Sequence, residues 1–143
     1  MKYTIIFFIL LTALGLNRLQ AQIAVIAHQD VASDSITSAQ LRDIYTGDMT
    51  FWPDGTPIIV CDLNDEQGVH DKFYDFIAVN SSRVKSVWMK RMLSGKSDPP
   101  LIFKTGDDLL QRIAELQGAI GFVDEKNIAG RVKVLMIIKT ATE

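Results

Sequence analysis

The sequence predicts a single α/β domain in which helices cover both sides of a sheet. Short apolar runs rich in β-branched residues alternate with longer segments whose apolar residues recur every three or four positions. Loops containing Gly, Pro, Ser and Asp separate them, and the sequence contains no internal repeat or low-complexity segment. Of the 143 residues, the 122 that follow Ala21 are enough for one hydrophobic core and not for two.

The N-terminal segment, residues 1–21, has the pattern of a secretory signal peptide. Lys2 precedes an apolar run from Tyr3 to Leu16, and Ala21 ends a sequence that suits signal peptidase. The run is short for a membrane span, and no second apolar span follows it in the sequence. We therefore predict a periplasmic or secreted protein whose domain is residues 22–143, with no membrane insertion after cleavage. An uncleaved N-terminal anchor is the alternative.

The charge of the predicted domain excludes some classes of partner. The whole chain has a formal net charge of −2, and cleavage removes two basic residues, Lys2 and Arg18, and no acidic one. The domain therefore has a net charge of −4. Because it is acidic and has no basic cluster, we do not expect it to bind nucleic acid or an anionic membrane surface.

Four segments are predicted as strands because they are short, apolar and often β-branched. They are residues 22–28, 57–63, 119–123 and 131–138. Cys61 lies in the second strand and is the only cysteine, so it forms no internal disulfide and is expected to be a small buried hydrophobe. Pro99 and Pro100 exclude a helix around them, because each lacks a backbone donor.

Four other segments are predicted as helices from their apolar periodicity and terminal residues. They are residues 37–47, 68–78, 81–95 and 105–118. Thr37 and Gln40 form a capping-box pair in the first, which Gly47 ends. The spacing predicts that Phe76 of the second helix and Met92 of the third are buried.

Two loops that follow predicted strands are candidates for ligand binding, since ligands of open α/β sheets gather beyond the carboxyl ends of strands. His28 ends the first strand, and the polar segment 63–67 follows the second. We expect both to lie along one edge, together with Ser33 and Ser35 of the loop after His28. Gly68 then allows the chain to turn into a helix whose free N–H groups favour an anion.

Four motifs occur in an order that resembles the phosphate-binding proteins of ABC transporters. They are Leu41-x-x-Ile44-Tyr45-x-Gly47, Trp52-x-Asp54-Gly55, an apolar strand with a polar loop and a helix, and "GAIGFV" at 118–123. The resemblance extends from Ile23 to about Ile138. It looks most like the short, exported, single-lobe members of the periplasmic-binding-protein-like superfamily. The resemblance implies an α/β fold with a mixed sheet flanked by helices, and a non-catalytic protein that binds phosphate or another oxyanion.

The loop that would hold the anion departs from the family's pattern. The family's loop resembles Arg-Ser-Asp-x-Ser-Gly-Thr, and it aligns here with residues 63–69. Asp65 and Gly68 match, whereas Leu63, Gln67 and Val69 replace the arginine, the second serine and the threonine. An arginine fork contributes two charge-assisted hydrogen bonds of about 1.5–3 kcal/mol each, which leucine lacks. We therefore expect binding to be weak.

The predicted site combines backbone and side-chain donors from the two loops with the start of the second helix. Amide groups at that helix start capture the oxyanion, and hydroxyl groups from the neighbouring loop assist. The predicted ligand-binding residues are Ser33, Ser35, Asp65, Gln67, Gly68, Val69 and His70.

A second function from another class remains open at this stage. A lobe that has lost its ligand residues could serve as an envelope protein-interaction or accessory module, because the face that a partner lobe would cover is then exposed. No enzyme is predicted, since the sequence has no Gly-x-Ser-x-Gly elbow and no Gly-Lys-Ser/Thr phosphate loop. No cofactor or metal is predicted either, since the acidic residues of the loop and the two histidines match no metal-binding spacing.

Overall fold

The structure is a computed structural model that describes residues 21–140. The predicted signal peptide lies outside the described residues except for Ala21. The strands are β1 (Gln22–His28), β2 (Ile59–Leu63), β3 (Leu101–Phe103), β4 (Ala119–Asp124) and β5 (Val132–Lys139). The helices are α1 (Ser38–Thr46), α2 (Val69–Phe76), α3 (Ser81–Leu93) and α4 (Gly106–Glu115), and a 3-10 turn spans Glu125–Asn127. Within 21–140, every helix is too short or too polar to cross a bilayer.

The five strands form one mixed sheet in the order β3-β2-β4-β1-β5. β2 is parallel to both β3 and β4, whereas β1 is antiparallel to β4 and to β5. Strands β2, β3, β4 and β5 therefore all end at the edge of the sheet where β1 begins. We call this edge the carboxyl edge.

The predicted α/β fold with a mixed sheet flanked by helices is confirmed. The four predicted strands are present, and β3 is a fifth strand that the sequence pattern did not reveal. It has only three residues, two of them exposed, and it pairs with β2 from Cys61↔Leu101 to Leu63↔Phe103. A segment this short has no measurable alternation of its own, and its pairing to β2 defines it as a strand.

Helices lie on both faces of the sheet. Phe122 of β4 stacks on Phe73 of α2, with ring centroids 3.8 Å apart and planes 6° from parallel. The preceding residue, Gly121, faces Leu109 and Ile113 of α4. Because successive side chains of a strand point to opposite faces, α2 and α4 lie on opposite sides of the sheet.

Helices α1 and α3 lie on the same side as α2. The Tyr45 ring of α1 is 4.8 Å from the Phe73 ring, and its hydroxyl donates to the carbonyl of Cys61 at 2.9 Å. Trp88 of α3 donates its indole N–H to the carbonyl of Tyr45 at 2.8 Å. Cys61 is fully buried, as predicted, and this burial raises the pKa of its thiol to about 12.

The predicted helix termini are largely confirmed, but two side chains predicted to be buried are exposed. The Thr37 and Gln40 capping box is present, and Gly47 ends α1 in the left-handed conformation. Helix α3 begins at Ser81, as predicted, and its N-cap is Asn80. Phe76 is 40% exposed and Met92 is 42% exposed, so the predicted burial of both is wrong. In α2, Tyr74 takes the buried position instead, because the helix is turned toward the Tyr45 and Phe122 rings.

Candidate anion site at the carboxyl edge

The loop between β2 and α2 lies at the carboxyl edge, and Gly68 is the residue at which it turns into the helix. Gly68 has a φ of 84°, a left-handed conformation that favours glycine, and it precedes the first residue of α2. Its side-chain position is open, since an added Cβ would meet no atom within 4 Å. The prediction that Gly68 starts a helix at the edge of the sheet is therefore confirmed.

The first amide groups of α2 are only partly available to a ligand. The N–H of His70 donates to Asp65 Oδ1 at 3.2 Å, so a carboxylate of the loop itself caps the helix. The amides of Gly68 and Val69 have no hydrogen-bond acceptor among residues 21–140. Two of the three amides predicted to capture an anion are therefore free.

The predicted side chains at this helix start point in different directions. Gln67 is exposed and remains able to donate to an anion at the edge. Val69 is 7% exposed and has an apolar side chain, so its side chain offers no polar contact to a ligand. The His70 ring lies against Tyr74, with ring centroids 4.6 Å apart, and its Nδ1 is 3.1 Å from Asp71 Oδ1. His70 therefore contributes no side chain to the anion site.

A cavity of about 680 Å³ lies beside this loop, and we call it the edge cavity. It lies between the loop and the start of α4, so two helix N-termini meet at one place. Thr105 caps α4 by accepting from the Asp108 N–H at 3.2 Å. The residues that line it are Leu63, Asn64, Asp65, Glu66, Gln67, Val69, Lys104, Thr105, Gly106, Asp107, Asp124 and Asn127.

Lys104 lines the edge cavity, and sequence reasoning missed it. It follows β3 directly and is exposed. Its ammonium group is a hydrogen-bond donor of the charge that an oxyanion requires. The sequence places Lys104 between the apolar residues 101–103 and the helix cap Thr105. This position would have predicted Lys104 at the edge of the sheet if 101–103 had been recognised as a strand.

The charge of the edge cavity opposes anion binding. Asp65, Glu66, Asp107 and Asp124 line it together with one cation, Lys104, which gives a formal charge of −3. Asp124 is partly neutralised, because Lys126 Nζ lies 3.6 Å from its Oδ2. Leu63, which the sequence comparison aligned with an arginine of phosphate-binding proteins, is 2% exposed and offers an apolar side chain. The edge cavity therefore has backbone N–H groups placed to bind an anion, but the negative charge of its lining opposes that binding.

Ser33 and Ser35 lie at the opposite edge of the sheet, so the expectation that one edge joins them to the β2 loop is wrong. They follow His28 at the end of β1, and β1 runs antiparallel to β4 while β2 runs parallel to it. Lys133, near the start of β5, confirms this position by donating to the carbonyl of Val31 at 2.6 Å. The sequence gives no signal for the direction of a strand, which depends on its partners.

A polar cluster lies on the α2 side of the loop, outside the edge cavity. Tyr74 donates its hydroxyl to Asp62 Oδ2 at 3.2 Å, and His70 Nε2 is 3.8 Å from the same oxygen. Asp62 Oδ1 is buried and has no hydrogen-bond partner within the described part of the chain. Burial raises the pKa of Asp62, and His70 and Tyr74 oppose that rise. Burial and Asp62 together raise the pKa of Tyr74.

No arrangement of three or more His, Cys, Asp or Glu side chains within residues 21–140 could hold a metal ion. The acidic residues of the edge cavity are therefore spread around its lining and do not converge on one point. Their effect on a ligand is the field of a negatively charged surface.

The sheet order, the helix positions and the loop at the carboxyl edge together define one lobe of a periplasmic-binding-protein-like fold. Solved structures confirm this fold. A Clostridium perfringens protein provisionally assigned as a phosphate ABC transporter substrate-binding protein, solved with bound phosphate, matches with a TM-score of 0.67 and 21% identity. The match covers 80% of this chain and 44% of that one.

Two further structures show the same fold. An ABC-type phosphate transport receptor from Vibrio cholerae matches with a TM-score of 0.62 and 18% identity, over 80% of this chain and 45% of that one. PstS from Borrelia burgdorferi matches with a TM-score of 0.59 and 13% identity, over 80% and 46% of the two chains. The chain thus spans less than half the length of these proteins. No protein-family model matches the chain, and no curated protein matches it either.

Proposed function

We propose that this chain is a non-catalytic, solute-binding-type domain that acts outside the cytoplasm and binds a small oxyanion, such as phosphate, weakly. The observation that carries the proposal is the pair of free amides at Gly68 and Val69, which begin a helix at the carboxyl edge. The likeness of the fold to phosphate-binding structures supports the choice of ligand class.

The favourable contacts are few. The dipole of α2 contributes about 0.3–1 kcal/mol at its N-terminus, and each hydrogen bond to a charged ligand about 1.5–3 kcal/mol. Gln67 and Lys104 add donors from the cavity lining. Four carboxylates and the absence of an arginine oppose them, so we expect a dissociation constant on the order of millimolar, which corresponds to about 4 kcal/mol.

Titration with phosphate, sulfate and arsenate tests this proposal, with sodium chloride of matched ionic strength as the control. The backbone amide NMR signals of Gly68 and Val69 should shift in a saturable way. Gly55, which lies in the turn before β2, should not respond. Saturating ligand should also raise the unfolding free energy, by about 2.7 kcal/mol at one hundred times the dissociation constant. Absence of any Gly68 shift at tens of millimolar phosphate contradicts the proposal.

A second candidate function is that of an envelope protein-interaction module, and exposed apolar side chains favour it. Leu93 of α3 is 79% exposed and Ile102 of β3 is 63% exposed, with Met89 of α3 at 51%. Met89 and Ile102 line one concavity, and Leu93 lies one helical turn after Met89 on α3. Exposed apolar residues of this size are typical of protein contacts. A photo-crosslinking residue at Leu93 should capture one specific protein in the cells that make this chain. The same residue at Gly55 should not, and equal labelling at both positions would count against an interface.

A further inference from the structure

A second concavity lies on the α2 and α3 side of the sheet, and we call it the lateral groove. It has a volume of about 560 Å³, which is within the range of small-molecule sites. Trp88, Met92, Pro100 and Ile102 form much of its wall, so the lining is mainly apolar. Its polar residues include the cluster around Asp62. A mainly apolar concavity with a few polar groups is the usual form of a ligand site.

Asp62 is the group in the lateral groove that requires a partner. Its Oδ2 accepts the Tyr74 hydroxyl at 3.2 Å, while its buried Oδ1 has no partner among residues 21–140. Buried carboxylate oxygens are normally hydrogen-bonded, because an unpaired one loses its hydration without replacement. The Cβ–Cγ torsion of aspartate is soft, so the carboxylate can turn toward the groove to accept a donor.

We propose that the lateral groove binds a small organic ligand that has an apolar body and an ammonium group, with the ammonium group pairing with Asp62. The carboxylate accepts N–H donors and repels an anionic ligand. The Trp88 ring, held by its N–H bond to Tyr45, presents an aromatic surface that also favours a cation. Met92 is flexible enough to fit an apolar body of irregular shape.

Lys85 also lines the lateral groove, and it defines the ligand further. Lys85 lies on α3 and is exposed, whereas the Asp62 side chain is only 15% exposed. A second cationic group on the ligand would be repelled there, and a carboxylate at the far end would be accepted. The groove therefore favours a monocation or a zwitterion over a dication.

This inference goes beyond the proposed anion function and does not depend on it. Of the two cavities, the lateral groove and the edge cavity share only Asn64 in their linings. Phosphate binding is tested at the amides of Gly68 and Val69, and the groove is tested at Trp88. Either result can fail while the other holds.

The indole N–H signals of the two tryptophans provide the experiment, with 2-phenylethylamine as the probe. The Trp88 signal should shift in a saturable way, and the Trp52 signal should not, because Trp52 donates to Gly118 away from the groove. The probe 3-phenylpropanoate has the same apolar body with a negative charge, and it should not bind. Asp62→Asn should weaken binding of the amine about tenfold or more. Asp75→Asn, which changes an exposed carboxylate of α2 outside the groove, should not.

Met92→Lys provides a second variant that does not disturb the core, since Met92 is 42% exposed. The added positive charge at the groove should weaken binding of the amine, whereas Met92→Gln should have a smaller effect. Equal affinity of native protein and Asp62→Asn, or equal affinity for the amine and the carboxylate, overturns the proposal. Absence of a Trp88 shift with the amine at millimolar concentration also overturns it and leaves the groove to a protein partner.

Discussion

The carboxylate of Asp65 accepts a hydrogen bond from the backbone N–H of His70 at 3.2 Å, and so occupies an amide that a bound anion would use. The same carboxylate places a negative charge in the edge cavity. Asp65 therefore stabilises the start of α2 and opposes anion binding at the same place.

Replacement of Asp65 by alanine should separate these two effects. The unfolding free energy should fall by about 0.5–2 kcal/mol, as for the loss of a helix cap. Phosphate should bind more tightly, because one amide is freed and one negative charge is removed. Chemical denaturation and an NMR titration of Gly68 measure the two quantities. Asp75→Ala, at an exposed position of α2, is the control, and unchanged phosphate affinity in Asp65→Ala would contradict the proposed site.

Lys104 should favour anion binding, whereas Asp65 opposes it. Among residues 21–140, Lys104 is the one cation that lines the edge cavity. Lys104→Gln should lower the affinity for phosphate about two- to fivefold, as for an exposed charge pair. The loss should shrink at high salt, since exposed charges are screened. Lys126→Gln is the matched control, because Lys126 pairs with Asp124 and does not line the cavity. An equal effect of the two variants would show that only net charge matters.

Gly118 should be far less tolerant of substitution than Gly55. Both have a left-handed backbone, with φ of 82° and 87°. A Cβ at Gly118 would overlap the carbonyl oxygen of Pro57, whereas one at Gly55 meets no atom within 4 Å. Gly55→Ala should lower the unfolding free energy by about 1–2 kcal/mol from backbone strain alone. Gly118→Ala should lower it by about 1–3 kcal/mol more, from the steric overlap.

Thermal and chemical denaturation of these two variants measure that difference. Because the backbone angles nearly match, the difference between the variants reports the contact with Pro57. Equal stability of the two would mean that the turn before β2 moves to accommodate the added methyl group.

The pKa of Asp62 should make stability depend on pH. Burial is the main cause that raises this pKa in the folded state above its ordinary value of 3.8. Between the ordinary and the raised pKa, the folded state holds a proton that the unfolded state has lost. The unfolding free energy should therefore fall as the pH rises through that interval. At pH values below that interval, Asp62 is protonated in both the folded and the unfolded state, and its effect on the unfolding free energy vanishes.

The variant Asp62→Asn isolates that contribution, since asparagine does not titrate. Its stability profile should lack the fall in unfolding free energy across that pH interval. At neutral pH the variant should be at least as stable as the native protein, because the asparagine carbonyl oxygen can still accept the Tyr74 hydroxyl. Asp75→Asn should leave the pH profile unchanged. Parallel profiles of the native protein and Asp62→Asn would show that the folded pKa of Asp62 is not raised.

The sequence alone was sufficient to predict features that depend on residues close together in the chain. The Thr37 and Gln40 capping box joins residues three positions apart, and the Gly68 turn depends on one backbone conformation. Motif order indicated the fold through its resemblance to the phosphate-binding proteins of ABC transporters. It also indicated the weak point of the site, since Leu63 cannot donate a hydrogen bond.

The sequence did not predict the contacts between segments that are far apart in the chain. The segment 101–103 became a strand only through its pairing with β2, and with it Lys104 reached the edge cavity. Phe76 and Tyr74 are both apolar enough for a core, and the rings of other elements determined which of them is buried. The periodicity of one helix does not contain that information.

By itself, then, the sequence determined one α/β lobe with a mixed sheet and a glycine at the start of its second helix. Only the tertiary structure determined that β1 runs against its neighbours, which places Ser33 and Ser35 at one edge and the Gly68 amides at the other. The physical reason is that helix caps and turns are fixed by hydrogen bonds a few residues apart. Strand direction is fixed by partners from remote parts of the chain, and the composition of a single apolar run does not specify it.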